Sequence, residues 1–295
     1  MRSLLILYIT LFYFENSISQ NFKSTIMYLA SDSLHGRAPG TNDELLAQRY
    51  ITKQLTKQFK IELQSFNFLQ DSIEKKSATN IIAYSKKNNE EDSVIILMAH
   101  YDGLGKSSSK SLEILASKKK HIHNGADDNS SGVAMIIELG KYLSKQKHLK
   151  YNIILLFTSA HEYGLFGAKH YCNTIASKYK IKSVYNFDMV GRLGITSTLF
   201  INDNNIDSTS YCNSNHLNFN LNNTIPNSDL TSFIPFKIHL VNITTGTHTD
   251  YHKHTDDEEK INYNGMKIIY AFLIDFIKNL NHYAYSLSLK KFSAK

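Results

Sequence analysis

The sequence is poor in the features that divide a chain into several units. It contains only three prolines in 295 residues, and it shows no low-complexity run and no internal repeat. Linkers between domains are often rich in proline, glycine or serine, so these absences argue against a second domain. Hydrophobic residues make up 42% of the chain, which is enough for one large core. We therefore predict a single domain over residues 20–295, preceded by a short leader.

The N-terminus also lacks a hydrophobic run long enough to span a membrane. The apolar stretch Leu4–Phe14 follows Met1-Arg2 and is shorter than the roughly 20 residues that a transmembrane helix needs. A charged start, a short apolar stretch and the small residues Ser17 and Ser19 describe a secretory signal peptide. We predict that residues 1–19 are such a peptide, with an uncleaved anchor as the alternative. Cleavage would leave a periplasmic or secreted protein without a stable membrane span.

Basic stripes and cysteines are scarce as well. The formal net charge is +7, but apart from Lys118-Lys119-Lys120 the basic residues are scattered and do not alternate with aromatic residues. This pattern predicts a solvated surface and no nucleic-acid partner. The only cysteines are Cys172 and Cys212. In an exported protein they could form a disulfide, and two free buried thiols fit the sequence almost as well.

What the chain does contain is an alternation of strand-like and helix-like segments. Apolar runs predict strands over residues 80–84, 94–98, 151–157, 183–187 and 238–243. Helical periodicity predicts helices over 131–144 and from about residue 265, and a capping box at residues 41–44 predicts another helix start. Continuous apolar strands between helices indicate an α/β fold, with a mostly parallel, doubly wound central sheet and helices on both faces. The polar segments 106–123 and 203–227 are predicted to be surface excursions.

Side chains suited to metal binding follow the predicted strands. His100 ends one strand, His161-Glu162 follow another, and Asp188 ends a third. In an open parallel sheet the carboxyl ends of the strands border one crevice, so these groups are expected to meet there. Imidazole and carboxylate donors without thiolates suit zinc, and other divalent ions are possible.

Five segments resemble the dizinc aminopeptidase family that also contains glutamate carboxypeptidase and glutaminyl cyclase. The resemblance extends from Ser31 to Tyr263 and depends on the segments occurring together in the order of the family. The segments are HYDGLG (100–105), NGADDNSSG (124–132), HEYGLFGA (161–168), NFDMVGR (186–192) and TGTHTDYHKHTDD (245–257).

The resemblance implies two zinc ions that together activate a water molecule. One ion is expected to be held by His100 and Asp188 and the other by Glu162 and His252, with Asp128 bridging both. An acyltransferase of the glutaminyl cyclase kind would use a single zinc, whereas His100 preserves the first site in this chain.

The resemblance also suggests roles for residues around the ligands. Asp102 is expected to accept a hydrogen bond from His100 and thereby fix the tautomer of the ring. Tyr251 is expected to donate its phenolic hydrogen toward a developing oxyanion. Asp127 is predicted to be a loop or helix-capping carboxylate. Four further histidines near the motifs are predicted to be solvated: His121, His123, His248 and His254.

The resemblance breaks at the position of the catalytic base. Members of the family read Glu-Glu before Gly-Leu, and the first glutamate is the general base, whereas this chain has His161-Glu162. Histidine transfers protons near neutral pH, with a reference pKa of about 6.5, so we predict that His161 replaces the glutamate as proton shuttle. Ser228-Asp229-Leu230 stands where the family has Ser-Asp-His, and Gly103 stands where many relatives have histidine.

Taken together, the leader predicts export, and the resemblance implies a zinc-dependent peptidase, an aminopeptidase that hydrolyses N-terminal residues from peptide substrates. The missing glutamate leaves a second reading open, a catalytically impaired metal- or peptide-binding relative on the same scaffold. The glutaminyl cyclase-like acyltransferase is a third. The sequence indicates no oligomeric state.

Overall fold

The computed structural model describes residues 17–70, 73–86, 93–106, 110–112, 121–146, 149–206, 211 and 216–292. Its strands, numbered in chain order, are β1 (Phe59–Gln70), β2 (Glu74–Ser85), β3 (Ser93–His100), β4 (Gly105–Lys106), β5 (Ile122–His123), β6 (Asn152–Thr158), β7 (Lys180–Phe187), β8 (Thr198–Asp203), β9 (Asn218–Asn222) and β10 (His239–Thr244). Its α-helices are α1 (residues 17–29), α2 (Asn42–Leu55), α3 (Gly132–Leu143), α4 (Phe166–Thr174) and α5 (Tyr263–Phe292).

One eight-stranded sheet, in the order β1-β2-β6-β3-β7-β10-β8-β9, organises the molecule. The four central strands β6, β3, β7 and β10 all run parallel. Antiparallel contacts lie toward the edges, where β1 pairs with β2, β2 with β6, and β8 with β10. The strand β3 is buried along its whole length. A strand that is covered on both faces needs a continuous apolar run, and β3 has one. This confirms the predicted α/β class with a mostly parallel central sheet.

Helices cover both faces of the sheet, as predicted. On one face, α1, α2, α3 and α5 form a large core against alternate strand residues such as Ile95, Leu97 and Leu155. On the other face, α4 and a 3₁₀ helix (Asp229–Phe236) pack against Ile96 and Met98 and their neighbours. The two cores therefore divide the odd and even residues of β3 between them, as the two-residue period of a strand requires.

The capping box predicted at the start of α2 is present. The side chain of Thr41 accepts a hydrogen bond from the Glu44 backbone N–H at 3.2 Å, and the Glu44 carboxylate reaches back to the Gly40 N–H at 2.6 Å. The same buried carboxylate accepts hydrogen bonds from the hydroxyls of Tyr101 and Ser159. Glu44 therefore ties the start of α2 to the ends of β3 and β6.

The prediction that residues 203–227 form a surface excursion is wrong for residues 218–222, which form β9 and pair in parallel with β8. At the two ends of the segment 106–123, residues 105–106 and 122–123 pair to form a small two-stranded sheet. The sequence analysis also missed β1, β8 and α4. Cys172 is a free, buried thiol, and burial raises its pKa to about 12; Cys212 lies outside the described residues.

Most of the predicted signal peptide, residues 1–16, lies outside the described residues. The described part begins within α1, and Ser19 lies in this helix beside the buried Ile18. In the described part of the chain, no helix combines the length and apolar character needed to cross a membrane. The signal peptide and its cleavage after Ser19 stay predictions.

Candidate metal centre

The carboxyl ends of three adjacent parallel strands bring the predicted ligands together. His100 is the last residue of β3, His161 and Glu162 follow β6, and Asp188 follows β7. Asp128 comes from the loop that leads into α3, and the loop after β10 supplies His252. This placement follows the rule that strand ends of an open α/β sheet border one crevice.

Asp128 lies between the two histidines. The Nε2 atom of His100 is 3.2 Å from Asp128 Oδ1 and 3.6 Å from Asp188 Oδ1. On the other side, the Nε2 atom of His252 is 3.4 Å from Asp128 Oδ2 and 3.3 Å from Glu162 Oε2. Each oxygen of one carboxylate therefore faces a different group of donors, which is the geometry expected of a carboxylate that contacts two ions.

The residues of this cluster fit zinc. The buried His100 Nε2 has no hydrogen-bond partner among the described residues, although it points toward two carboxylates. Ligand atoms of His100, Asp128 and Glu162 lie within 4.8 Å of one another, as do those of His100, His161 and Asp188. Burial, and then the charge of Asp128, raise the pKa of Glu162, so a cation is the natural partner for these crowded carboxylates. Imidazole and carboxylate donors are those that zinc accepts.

Asp102 supports the cluster in a way that differs from the prediction. The Nδ1 atom of His100 is 3.2 Å from the backbone carbonyl oxygen of Asp102 and 3.7 Å from its carboxylate. The carbonyl is therefore the closer partner that orients the imidazole. The carboxylate instead accepts the backbone N–H groups of His161 at 3.2 Å and Glu162 at 3.3 Å. Asp102 thus holds the segment that carries the next two site residues.

His161 lies flat against His100, and a carboxylate lies behind it. The two rings are parallel within 5°, with centroids 3.9 Å apart. The Nδ1 atom of His161 is 3.3 Å from Asp229 Oδ2, which also accepts a 2.5 Å hydrogen bond from the Thr158 hydroxyl. Burial and the neighbouring His100 lower the pKa of His161, but the Asp229 and Asp188 carboxylates act in the opposite direction, and the net effect raises it to about 9. Asp229 is only 1% exposed.

Asp229 is a site residue that sequence reasoning did not assign. Its signal was present, because it lies in the Ser228-Asp229-Leu230 segment that departs from the family pattern. The third residue of that segment, Leu230, is fully buried in the apolar core. The leucine that replaces the family's histidine therefore packs in the apolar core, while Asp229 lies at the site.

Tyr251 borders a cavity of about 200 Å³ that opens beside the cluster. Its ring stacks on His252, with centroids 3.9 Å apart. The cavity is also lined by Asp128, His161 and Asp188, so a molecule in it would contact the predicted ligands and Tyr251 together. This is the position from which the predicted phenolic donation could act.

A second layer of polar contacts holds the loop before α3. Asp127 accepts hydrogen bonds from the Ser131 hydroxyl at 2.8 Å and the Gly191 N–H at 2.6 Å, which fits the predicted loop carboxylate. Asp256 accepts the backbone N–H groups of Asp127 and Asp128, both at 2.9 Å, and receives Arg192 at 2.8 Å. Sequence reasoning missed Asp256 and Arg192, which keep Asp128 in place.

The four histidines predicted to be solvated differ from one another. The prediction is wrong for His123, which is 4% exposed and whose ring nitrogens contact Gly105 O at 3.2 Å and Ser111 Oγ at 2.8 Å. His248 is half-buried, with Nε2 at 3.2 Å from Asp127. His121 and His254, both half-buried, stack on each other with centroids 4.2 Å apart.

The sequence was compared with protein-family models and with curated proteins. The family model for Peptidase family M28 matches residues 80–277. An aminopeptidase of Pseudomonas aeruginosa is 30% identical over 124 residues, which are 41% of this chain and 20% of that protein. The chain thus matches about a fifth of the length of this curated relative.

Solved structures show the same fold over nearly the whole chain. A glutaminyl cyclase from Porphyromonas gingivalis has a TM-score of 0.72 and 19% identity, covering 89% of this chain and 98% of that one. A Zn-dependent exopeptidase from Parabacteroides distasonis has a TM-score of 0.71 and 19% identity, covering 88% and 98%. At these identities the likeness shows the fold alone.

Proposed function

The chain belongs to Peptidase family M28, and from this premise we propose that it is an exported zinc-dependent aminopeptidase that hydrolyses N-terminal residues from peptides. The observation that carries the proposal is the position of Asp128 between two histidine–carboxylate groups at the ends of the parallel strands. The names of the Pseudomonas aminopeptidase and the Parabacteroides exopeptidase agree with this activity.

Two zinc ions are proposed, with Asp128 contacting both. His100 and Asp188 would hold one ion, and Glu162 and His252 would hold the other. When bound at such a site, zinc lowers the pKa of a water molecule and polarises the scissile carbonyl group. The buried His100 Nε2, with no hydrogen-bond partner among the described residues, supports the first of these two sites.

His161 is proposed to move the proton in the reaction. Two nearby cations would favour the neutral form of the ring. Because Nδ1 lies 3.3 Å from the Asp229 carboxylate, the neutral ring would carry its proton on Nδ1, and Nε2 would accept another. His161 would accept a proton from the attacking water and return it to the leaving amine. Asp229 does not touch substrate in this scheme; it positions His161 and stabilises the charged ring. Proton transfer of this kind contributes about 10²–10⁴-fold to a rate.

Tyr251 is proposed to donate a hydrogen bond to the substrate oxygen as negative charge develops on it. Burial, and then the charges of Asp128 and Glu162, raise the pKa of Tyr251. The phenol therefore stays protonated at neutral pH and keeps its hydrogen for donation.

Export belongs to the same proposal and rests on residues 1–19, whose charged start and short apolar stretch are typical of a signal peptide. A periplasmic or secreted location would give the enzyme access to external peptides. N-terminal sequencing of the protein recovered outside the cytoplasm should begin at Gln20.

One observation favours a second candidate, a catalytically impaired relative that binds metal or peptide. The histidine at the base position is uncharged when neutral and differs in reach from the glutamate of the family. On this reading, the cluster would keep its metal while His161 contributes no catalysis. The glutaminyl cyclase-like acyltransferase is a further alternative that metal stoichiometry tests, because it requires a single zinc.

The deciding experiment compares His161→Ala and His161→Glu with the wild-type protein. Each zinc-loaded protein is assayed on a broad panel of aminoacyl and dipeptide substrates, with zinc content measured on the same samples. We expect an active wild type and a loss of about 10²–10⁴-fold in kcat for His161→Ala, because the proton acceptor is gone. An inert wild type together with an active His161→Glu variant would establish the impaired relative instead.

A further inference from the structure

The cavity beside Asp128 and Asp188 has several uncharged polar residues in its wall. Ligand pockets are lined predominantly by apolar side chains with a few polar groups. Apart from the metal-centre residues and Tyr251, the described residues of its wall include two apolar ones, Met189 and Pro226. Its other walls are uncharged polar residues: Asn227, Ser228, Asn242, Thr244 and Thr247.

Asn242 lines this cavity with a side-chain amide. It lies on β10, on the same face as Thr244, because side chains two residues apart along a strand share a face. Its Oδ1 accepts a 2.9 Å hydrogen bond from the Nδ2 of Asn186, its neighbour on β7. Within the described residues, no hydrogen bond uses the Asn242 Nδ2 group, although Asn242 is only 4% exposed. The donor is therefore left for a molecule that enters the cavity.

The size of the cavity indicates what can enter. At about 200 Å³ it is smaller than the roughly 300–1,000 Å³ of pockets for drug-sized ligands, so it suits a single amino-acid side chain. An apolar side chain would cover the amide and the nearby hydroxyls without replacing their hydrogen bonds to water, which is unfavourable. Apart from Asp128, His161 and Asp188, which belong to the candidate metal centre, the described residues of its wall offer no charge to pair with a charged side chain.

We propose that this cavity receives the side chain of the substrate's N-terminal residue and selects a carboxamide, that of asparagine or glutamine. The carbonyl oxygen of the carboxamide would accept the Asn242 Nδ2–H, and its amino group would donate to hydroxyl oxygens such as those of Ser228 and Thr244. This inference rests on the proposed peptidase function and names the substrate class of the same site.

Asparagine and leucine substrates provide the test, because the two side chains are branched at the same carbon and similar in size. The zinc-loaded full chain is assayed on the p-nitroanilides of both amino acids. We expect kcat/KM to favour asparagine by at least about tenfold, since the apolar analogue leaves buried polar groups unpaired. The variant Asn242→Leu should shift this ratio toward leucine by at least about tenfold, through the same unpaired groups.

Two controls keep the test sharp. Asn220→Leu makes the same substitution at an exposed position of the edge strand β9 and should leave the ratio unchanged. The double variant Asn186→Leu/Asn242→Leu replaces both partners of the buried amide pair. It therefore leaves no buried amide without a hydrogen-bond partner, which could destabilise the fold of the single variant. It should show the same shift toward leucine.

The outcomes separate this inference from the proposed function. A wild type that prefers leucine, or variants that keep the wild-type ratio, would overturn the carboxamide pocket while leaving the peptidase intact. If no aminoacyl substrate is cleaved, the proposed function fails. Calorimetric binding of free asparagine against leucine to the zinc-loaded protein then tests the pocket, which is contradicted if asparagine does not bind the more tightly.

Discussion

At the scale of single residues, two aspartate–histidine pairs occupy different environments in this fold. Asp229 lies behind His161 inside the candidate metal centre, with 3.3 Å between the facing atoms. Asp203 faces His239 at 2.8 Å, where β8 ends beside the start of β10, away from the carboxyl ends of the parallel strands. The two aspartates are similarly buried, at 1% and 2% exposed. They therefore allow a comparison between a carboxylate that serves the site and one that serves the fold.

Asp229→Asn should lower kcat by about 10²–10⁴-fold with little change in KM. The amide keeps the shape of the carboxylate but no longer stabilises the charged imidazole or selects the tautomer with the proton on Nδ1. Steady-state kinetics of the zinc-loaded variant measure both constants. Asp203→Asn makes the same change in the structural pair, and its kcat should stay within a few-fold of wild type. Equal losses in the two variants would mean that Asp229 acts only through stability.

The residues of the site differ in how far the sequence could predict them. The candidate ligands His100, Glu162 and Asp188 follow strands, so the convergence of parallel strand ends was sufficient to place them together. Asp128 and His252 were expected at the site only from the resemblance to the family. The contact between His161 and Asp229 joins segments far apart in the chain, and no periodicity or spacing encodes it. The role of Asp102 was also beyond the sequence, because only the backbone path determines that its carbonyl approaches His100 more closely than its carboxylate does.

At the scale of elements, the start of α2 carries a buried carboxylate whose ionisation opposes folding. Burial is the main cause that raises the pKa of Glu44, to about 7, whereas the unfolded chain has a value of about 4.3. Between these two pH values the native state binds more protons than the unfolded state. The free energy of unfolding should therefore fall as pH rises through this interval.

Glu44→Gln tests this prediction, because the amide cannot ionise. Urea unfolding of the chelator-treated protein at pH 5 and pH 8 should show wild type losing more stability than the variant between the two values. Glu259→Gln changes an exposed glutamate and should behave like wild type. If the free energy of unfolding changes equally with pH in wild type and in Glu44→Gln, Glu44 ionises as readily in the native state as in the unfolded chain.

Elements with a buried, continuous apolar run were predicted well, while those at the edges were not. The strands β3 and β6 are nearly fully buried, so the residues between their ends are all apolar. In β7, residues 183–187 are buried. The edge strand β9 reads Asn-Phe-Asn-Leu-Asn, with the asparagines exposed and the apolar residues half-buried. Such a sequence resembles a polar loop, because asparagine is depleted in strands and only two apolar side chains reveal the alternation. The helix α4 begins directly after the site loop and has few periodic apolar residues.

At the scale of the whole molecule, the candidate metal centre joins distant parts of the chain. Its residues come from β3, from the loops after β6, β7 and β10, and from the loop before α3. Arg192 and Asp256 connect two of these segments behind the ligands. A cation bound here would therefore stabilise the packing of the whole sheet edge and not one loop alone. Binding to the native state only raises the free energy of unfolding by mass action.

Zinc should accordingly stabilise the folded protein, and Asp128 should be required for most of the effect. At a free zinc concentration 100 times the dissociation constant, one site adds about 2.7 kcal/mol to the free energy of unfolding, and a second site adds further. Urea unfolding with zinc and with a chelator measures the difference, while metal analysis should give two ions per chain. Asp128→Asn should lose most of this gain, because its two oxygens face both groups of donors. Asp275→Asn, at an exposed position of α5, should retain it. If the urea midpoint of the wild type is the same with zinc and with a chelator, a metal centre built from these residues is contradicted, even if some hydrolysis is detected.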